Sequence, residues 1–162
     1  MKPLTRIFKN LIEPFRIDGI LPNLLLLIPR ILMGFGLAFI YAPQRFGTPW
    51  TPDAMGLELF EVTDEVVEIV RQGGTPFNLM PEVFAWSIGF MEAYGGLLMI
   101  LGLNTRITSF FVFITMGLAI VFRSWDGTWD VFPIFVFFCL GLFFMGFGSG
   151  KFGLDYLLYK KL

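Results

Sequence analysis

The sequence predicts an all-α membrane protein: a bundle of four transmembrane helices, with an N-terminal amphipathic helix and a helical extracytoplasmic excursion between spans one and two. Three observations predict it. Apolar residues make up 56% of the 162 residues and charged residues 15%, against about 25% charged in soluble domains. Four apolar runs reach or approach the ~20 residues that cross a bilayer. Basic residues cluster in alternate connecting segments and so share one side of the membrane, as the positive-inside rule requires.

The length suits one unit over 1–162. Residues 1–20 place Leu4, Ile7, Phe8, Leu11, Ile12 and Phe15 at helical spacing, with Arg6, Lys9 and Arg16 between them, as in an interfacial helix on an anionic leaflet. Span one covers 22–42. Pro22 suits its first turn, Arg30 lies inside it, and Gly34 and Gly36 leave room for a neighbouring helix. The excursion covers 43–80. Within it, Thr51-Pro52-Asp53 and Thr63-Asp64-Glu65 read as helix starts, and the second helix ends at Gly73-Gly74. Leu59, Val62, Val66, Ile69 and Val70 form an apolar face, and Glu58, Glu61, Asp64, Glu65 and Glu68 an acidic one. This segment reads as a cap on the bundle mouth, with an acidic docking surface as the sharper alternative.

Span two covers 81–103, span three 106–122 and span four 131–147. The very short loop between spans two and three makes them antiparallel neighbours. Lys2, Arg6, Lys9, Arg16, Arg106, Lys151, Lys160 and Lys161 all fall on one side, which puts both termini in the cytoplasm. Trp50, Trp86, Trp125 and Trp129 fall near the opposite boundary, as an aromatic belt would.

Several chemistries are excluded. There is no His and one Cys, Cys139. The commonest general base, zinc ligand and haem ligand are therefore absent, and no intrachain disulfide can form. No nucleophile–base pair and no metal-ligand cluster exist, so catalysis by this chain alone is not expected. A net charge of −1 gives no reason to expect a nucleic-acid partner.

One polar site stands out. Glu92 lies mid-span, and ionisable groups at such depth face a partner or a wet cavity. At 1.5 Å per residue, Arg30 lies roughly 12 Å past Pro22 and Glu92 roughly 16 Å from Leu103. The two depths nearly coincide, which predicts an intramembrane Arg30–Glu92 ion pair. The pair either fixes helix register or lines a pocket for a quinone headgroup or small anion. Tyr94 and Arg106, and more weakly Thr115, are further candidate lining groups. Gly95-Gly96 reads first as close helix packing, and Asp155 as a structural cap or ion-pair partner.

Three stretches resemble the DoxX family of small four-span membrane proteins. The first is Arg30-Ile-Leu-Met-Gly34, with Arg45 and Gly47 beyond it. The second runs from Glu92-Ala-Tyr-Gly-Gly to Gly102-Leu-Asn-Thr-Arg106. The third is Gly148-Ser-Gly-Lys-Phe-Gly-Leu-Asp-Tyr-Leu-Leu158. Together they cover about 24–158. Ser149 and Gly153 depart from the family's common Pro and Ser, and the acidic excursion is longer than the family's.

The resemblance implies a bacterial or archaeal inner-membrane accessory subunit linked to respiratory or redox chemistry. Its partners would be lipid and other membrane subunits or further copies of itself. A quinone-reactive small subunit of a thiosulfate:quinone oxidoreductase is the first alternative. A small transporter or channel is the second, against which stand the few polar lining residues and the absence of paired broken helices. No covalently bound cofactor is expected; quinone is the small molecule the resemblance suggests.

Overall fold

The computed structural model describes residues 18–122 and 131–161. The N-terminal amphipathic helix expected over 1–20 falls almost wholly outside them, as do the expected belt residues Trp125 and Trp129. The described residues form helices and short turns with no strand; Phe46 and Val62 make one isolated antiparallel bridge.

The first rod is α1 (Ile20–Phe35), continued by a π-helical turn (Gly36–Tyr41) and a 3-10 turn (Ala42–Gln44). Pro29 is accommodated inside α1. The excursion carries α2 (Asp64–Gln72). The second rod is α3 (Pro81–Phe90), a π-helical turn (Met91–Gly95) and α4 (Gly96–Leu101). Then come α5 (Thr105–Phe122), α6 (Phe132–Phe147) and the short tail helix α7 (Leu154–Lys161).

Among the described residues, three helices are long and apolar enough to cross a membrane: Ile20–Gln44, Pro81–Leu101 and Thr105–Phe122. The fourth run is an apolar helix of 16 residues, about 24 Å long, which falls short of the ~30 Å hydrocarbon core.

The rods pack in two tight pairs, first with second and third with fourth. The first pair crosses at glycines. A Cβ on Gly96 would lie 2.7 Å from the carbonyl oxygen of Gly34 and 2.7 Å from the amide nitrogen of Ala38. Close packing is thus the role of Gly34 and Gly96. In the second pair a Cβ on Gly141 would lie 3.0 Å from the Phe113 nitrogen. The buried apolar core is Leu26, Met33, Leu37, Met99, Val112, Met116 and Phe144.

Two π-helical turns, one in each rod of the first pair, pack against each other. Such turns shift carbonyls out of the regular ladder. Trp50 from the excursion donates its indole N–H to one of them, the Ala38 carbonyl, at 2.8 Å. Trp50 is therefore tied to the bundle rather than serving only as a belt residue.

The excursion differs in detail from its sequence pattern. Thr51 does not cap a helix. Its hydroxyl accepts the Thr48 N–H at 2.8 Å, and only a short turn, Asp53–Met55, follows. Thr63 precedes α2 without a side-chain capping bond, and Gly73 ends it. Leu59 lies outside α2 and is exposed, whereas Val70 is buried. The α2 helix packs on α3 and touches α5. One end is tied by the Thr63 N–H to the Arg45 carbonyl at 3.0 Å. The other rests on Phe122, which a Cβ on Gly73 would strike.

Candidate functional site

The predicted Arg30–Glu92 ion pair is not formed. Arg30 is 1% exposed. Its Nη1 donates to the Ser149 carbonyl and its Nη2 to the Phe152 carbonyl, the latter at 3.3 Å. Glu92 pairs instead with Arg45, Oε1 to Nη1 at 3.7 Å. The reason is side-chain direction. Every Cβ in a helix tilts toward that helix's N-terminus. The two rods are antiparallel, so Cα atoms at one depth send their side chains to opposite ends. The Arg30 guanidinium reaches Gly102, where a Cβ would lie 2.7 Å from Nη1. Gly102 is ten residues beyond Glu92, roughly 15 Å along the rod.

The structure thus has two polar centres. The tail-side centre holds Arg30, the turn over 148–153 and Asp155. Asp155 Oδ1 accepts the Asn104 N–H at 2.7 Å, and Oδ2 accepts the Thr105 N–H at 2.9 Å. A carboxylate here also meets the positive end of α5, and its charge bears on Arg30. Gly102 serves twice, with a left-handed φ of 66° that ends α4 and no side chain to displace Arg30. Asn23 accepts the Lys151 N–H at 3.0 Å. The unusual Ser149 and Gly153 touch: a Cβ on Gly153 would collide with the Ser149 side chain. Asp155 therefore has the structural role expected of it, as a cap.

The second centre lies toward the excursion. A cavity of ≈330 Å³ is walled by Val66, Ile69 and Val70 of α2, Ile88 of α3, and Thr115, Ala119 and Phe122 of α5. Arg45, Glu65, Gln72 and Glu92 supply its polar edge. A smaller cavity of ≈30 Å³ adjoins the same ion pair and includes Tyr41 and Phe137. Glu92 is 3% exposed, and its Oε2 has no hydrogen-bond partner. Arg45 is 37% exposed. The cavity is at the lower end of the ~300–1,000 Å³ typical of ligand sites. Its apolar walls can hold a ring, and the Glu92 and Arg45 side chains on its edge can meet a polar substituent on it.

The four sequence candidates are not brought together. Tyr94, two residues from Glu92, faces elsewhere. It joins an aromatic cluster, its ring 4.6 Å from Phe90 and 5.9 Å from Trp50. Arg106 starts α5 at the tail end and donates to the Gly146 carbonyl at 3.2 Å. Thr115 does line the Glu92 cavity. Sequence reasoning missed Arg45 as the partner and Glu65 as an edge group. The signal for Arg45 was available: it is the basic residue beyond the end of span one, on the side to which Glu92 must point.

A family model described as "TQO small subunit DoxD" matches residues 77–162, more than half of the chain. The match covers Glu92, the turn over 102–106, α5, α6 and the Asp155 tail, and begins after Arg30, Arg45 and α2. It supports the DoxX-related group and corrects the member, since the matching family is DoxD. No curated protein and no solved structure matches the chain.

Proposed function

We propose that this chain, which belongs to the DoxD family, is the membrane subunit of a thiosulfate:quinone type oxidoreductase and supplies its quinone site at the Arg45–Glu92 cavity. The family match supports the quinone-reactive reading over a purely accessory one. The observation that carries the site is the buried Glu92 carboxyl, which with its partner Arg45 lines a largely apolar ≈330 Å³ cavity. In this reading the isoprenoid tail leaves along α5 and α6 toward lipid, and the ring's oxygens meet Glu92 and Arg45. The apolar α6 completes a four-span bundle in a bacterial or archaeal inner membrane, with both termini cytoplasmic. In this reading thiosulfate is oxidised on a partner subunit, and this chain's part is to hold the quinone.

Titration with decylubiquinone tests this. The purified chain in detergent should gain stability with the logarithm of quinone concentration above Kd, reaching about 2.7 kcal/mol at a hundredfold excess. Ala119→Trp, which fills the cavity, should abolish the gain. A flat response in the parent protein would remove the proposal.

A further inference from the structure

The two ends of the bundle are unequal around Glu92. Toward the excursion, the cavity runs from Glu92 to α2, where Glu65 and Gln72 on its edge are exposed. Toward the tail, Leu37 and Met116 border the smaller cavity. Beyond them the core is Met33, Met99, Val112 and Phe144, each no more than 2% exposed. Met99 lies seven residues past Glu92, roughly 10 Å along the rod. The buried Ser109 hydroxyl at that level is engaged with Met99 Sδ at 3.5 Å.

We infer that Glu92 exchanges protons with the aqueous compartment bordering residues 43–80, through the cavity edged by Glu65, and not with the compartment bordering the tail. The inference rests on the quinone reading and adds a direction to it. Quinone takes two electrons, drawn from thiosulfate on the partner subunit, and two protons to become quinol. Each proton given by the Glu92 carboxyl is replaced from water on the excursion side. The titratable and charged groups facing Glu92 suit the role. Arg45 comes from the turn after the first rod, Tyr41 from its π-helical turn and Glu65 from α2, while α5 and α6 present the uncharged Thr115 and Ile134.

Sealed membrane vesicles of the two orientations, carrying the full chain, test the direction. A water-soluble, impermeant carbodiimide and glycinamide are added outside at mildly acidic pH. A reachable protonated carboxyl adds to the carbodiimide, and glycinamide then displaces the urea to leave an amide that mass spectrometry locates. Exposed Glu68 reports the excursion face and exposed Asp18 the tail face. Glu92 should be amidated only in vesicles where Glu68 is. Ile69→Trp, at the cavity wall, should slow Glu92 severalfold and leave Glu68 unchanged. Amidation of Glu92 together with Asp18, or in neither orientation, would overturn the inference. Decylubiquinone separates the two claims. Excursion-side labelling that quinone fails to block would sink the quinone site and support the access route. Quinone protection with labelling from the Asp18 face would do the reverse.

Discussion

Asp155→Ala is expected to lower the stability of the detergent-solubilised protein by about 3 kcal/mol, from two charge-assisted hydrogen bonds and the α5 dipole. The carboxylate is 2% exposed and accepts two backbone N–H groups that have no replacement at the start of α5. Its loss also removes a negative charge that acts on Arg30, whose guanidinium is held otherwise by carbonyls of the 148–153 turn. Asp155→Asn keeps an acceptor and should cost clearly less. Denaturant-induced unfolding followed by circular dichroism reads both. A loss under about 0.5 kcal/mol for the Ala variant, the usual range of a featureless surface change, would show that this carboxylate does not hold the tail to the bundle.

The second large effect concerns the other carboxylate. Arg45→Met should destabilise by about 2 kcal/mol, below the ~3–5 of a fully buried pair, because the Arg45 side chain is 37% exposed and partly screened. The cost comes from stranding Glu92 without its cation. Adding Glu92→Gln to Arg45→Met should restore much of it, giving a coupling of about 1–3 kcal/mol. Strictly additive losses would mean that the 3.7 Å contact carries no energy. The same cycle with Arg30→Met in place of Arg45→Met should show additivity, since Arg30 and Glu92 occupy different centres.

How far the chain could be read in advance follows from the range of each rule. The helix ends at Gly73, Pro81, Phe122 and Phe147 and the Gly102 turn are set by neighbours a few residues apart, so they were legible, whereas the start read at Thr51 proved to be a short turn. So was the close approach at Gly34 and Gly96, because a missing side chain in an apolar run has few other uses. The polar site was legible only in part. Burial of Arg30 and Glu92 follows from their spacing along apolar rods. Their partners depend on which way each side chain leaves its rod, and depth counting discards that direction. Nothing local announces the two π-helical turns; the apolar face of α2 announces that it caps the bundle, but not the cavity that it walls with Val66 and Ile69. Those features arise from contacts between segments far apart in the chain. The 16-residue α6 shows a related limit: composition marks it as apolar, while length alone does not make it a span.

In the proposed site, quinone sits between α2 and the excursion-side half of the bundle, against Glu92. Photolabelling with an azido-ubiquinone, followed by peptide mapping, tests it most directly. Adducts are expected on residues 66–70, 88–92 and 115–122, lost when excess decylubiquinone competes. Competed adducts confined to the Arg30 end, on 102–106 or 148–155, would contradict it.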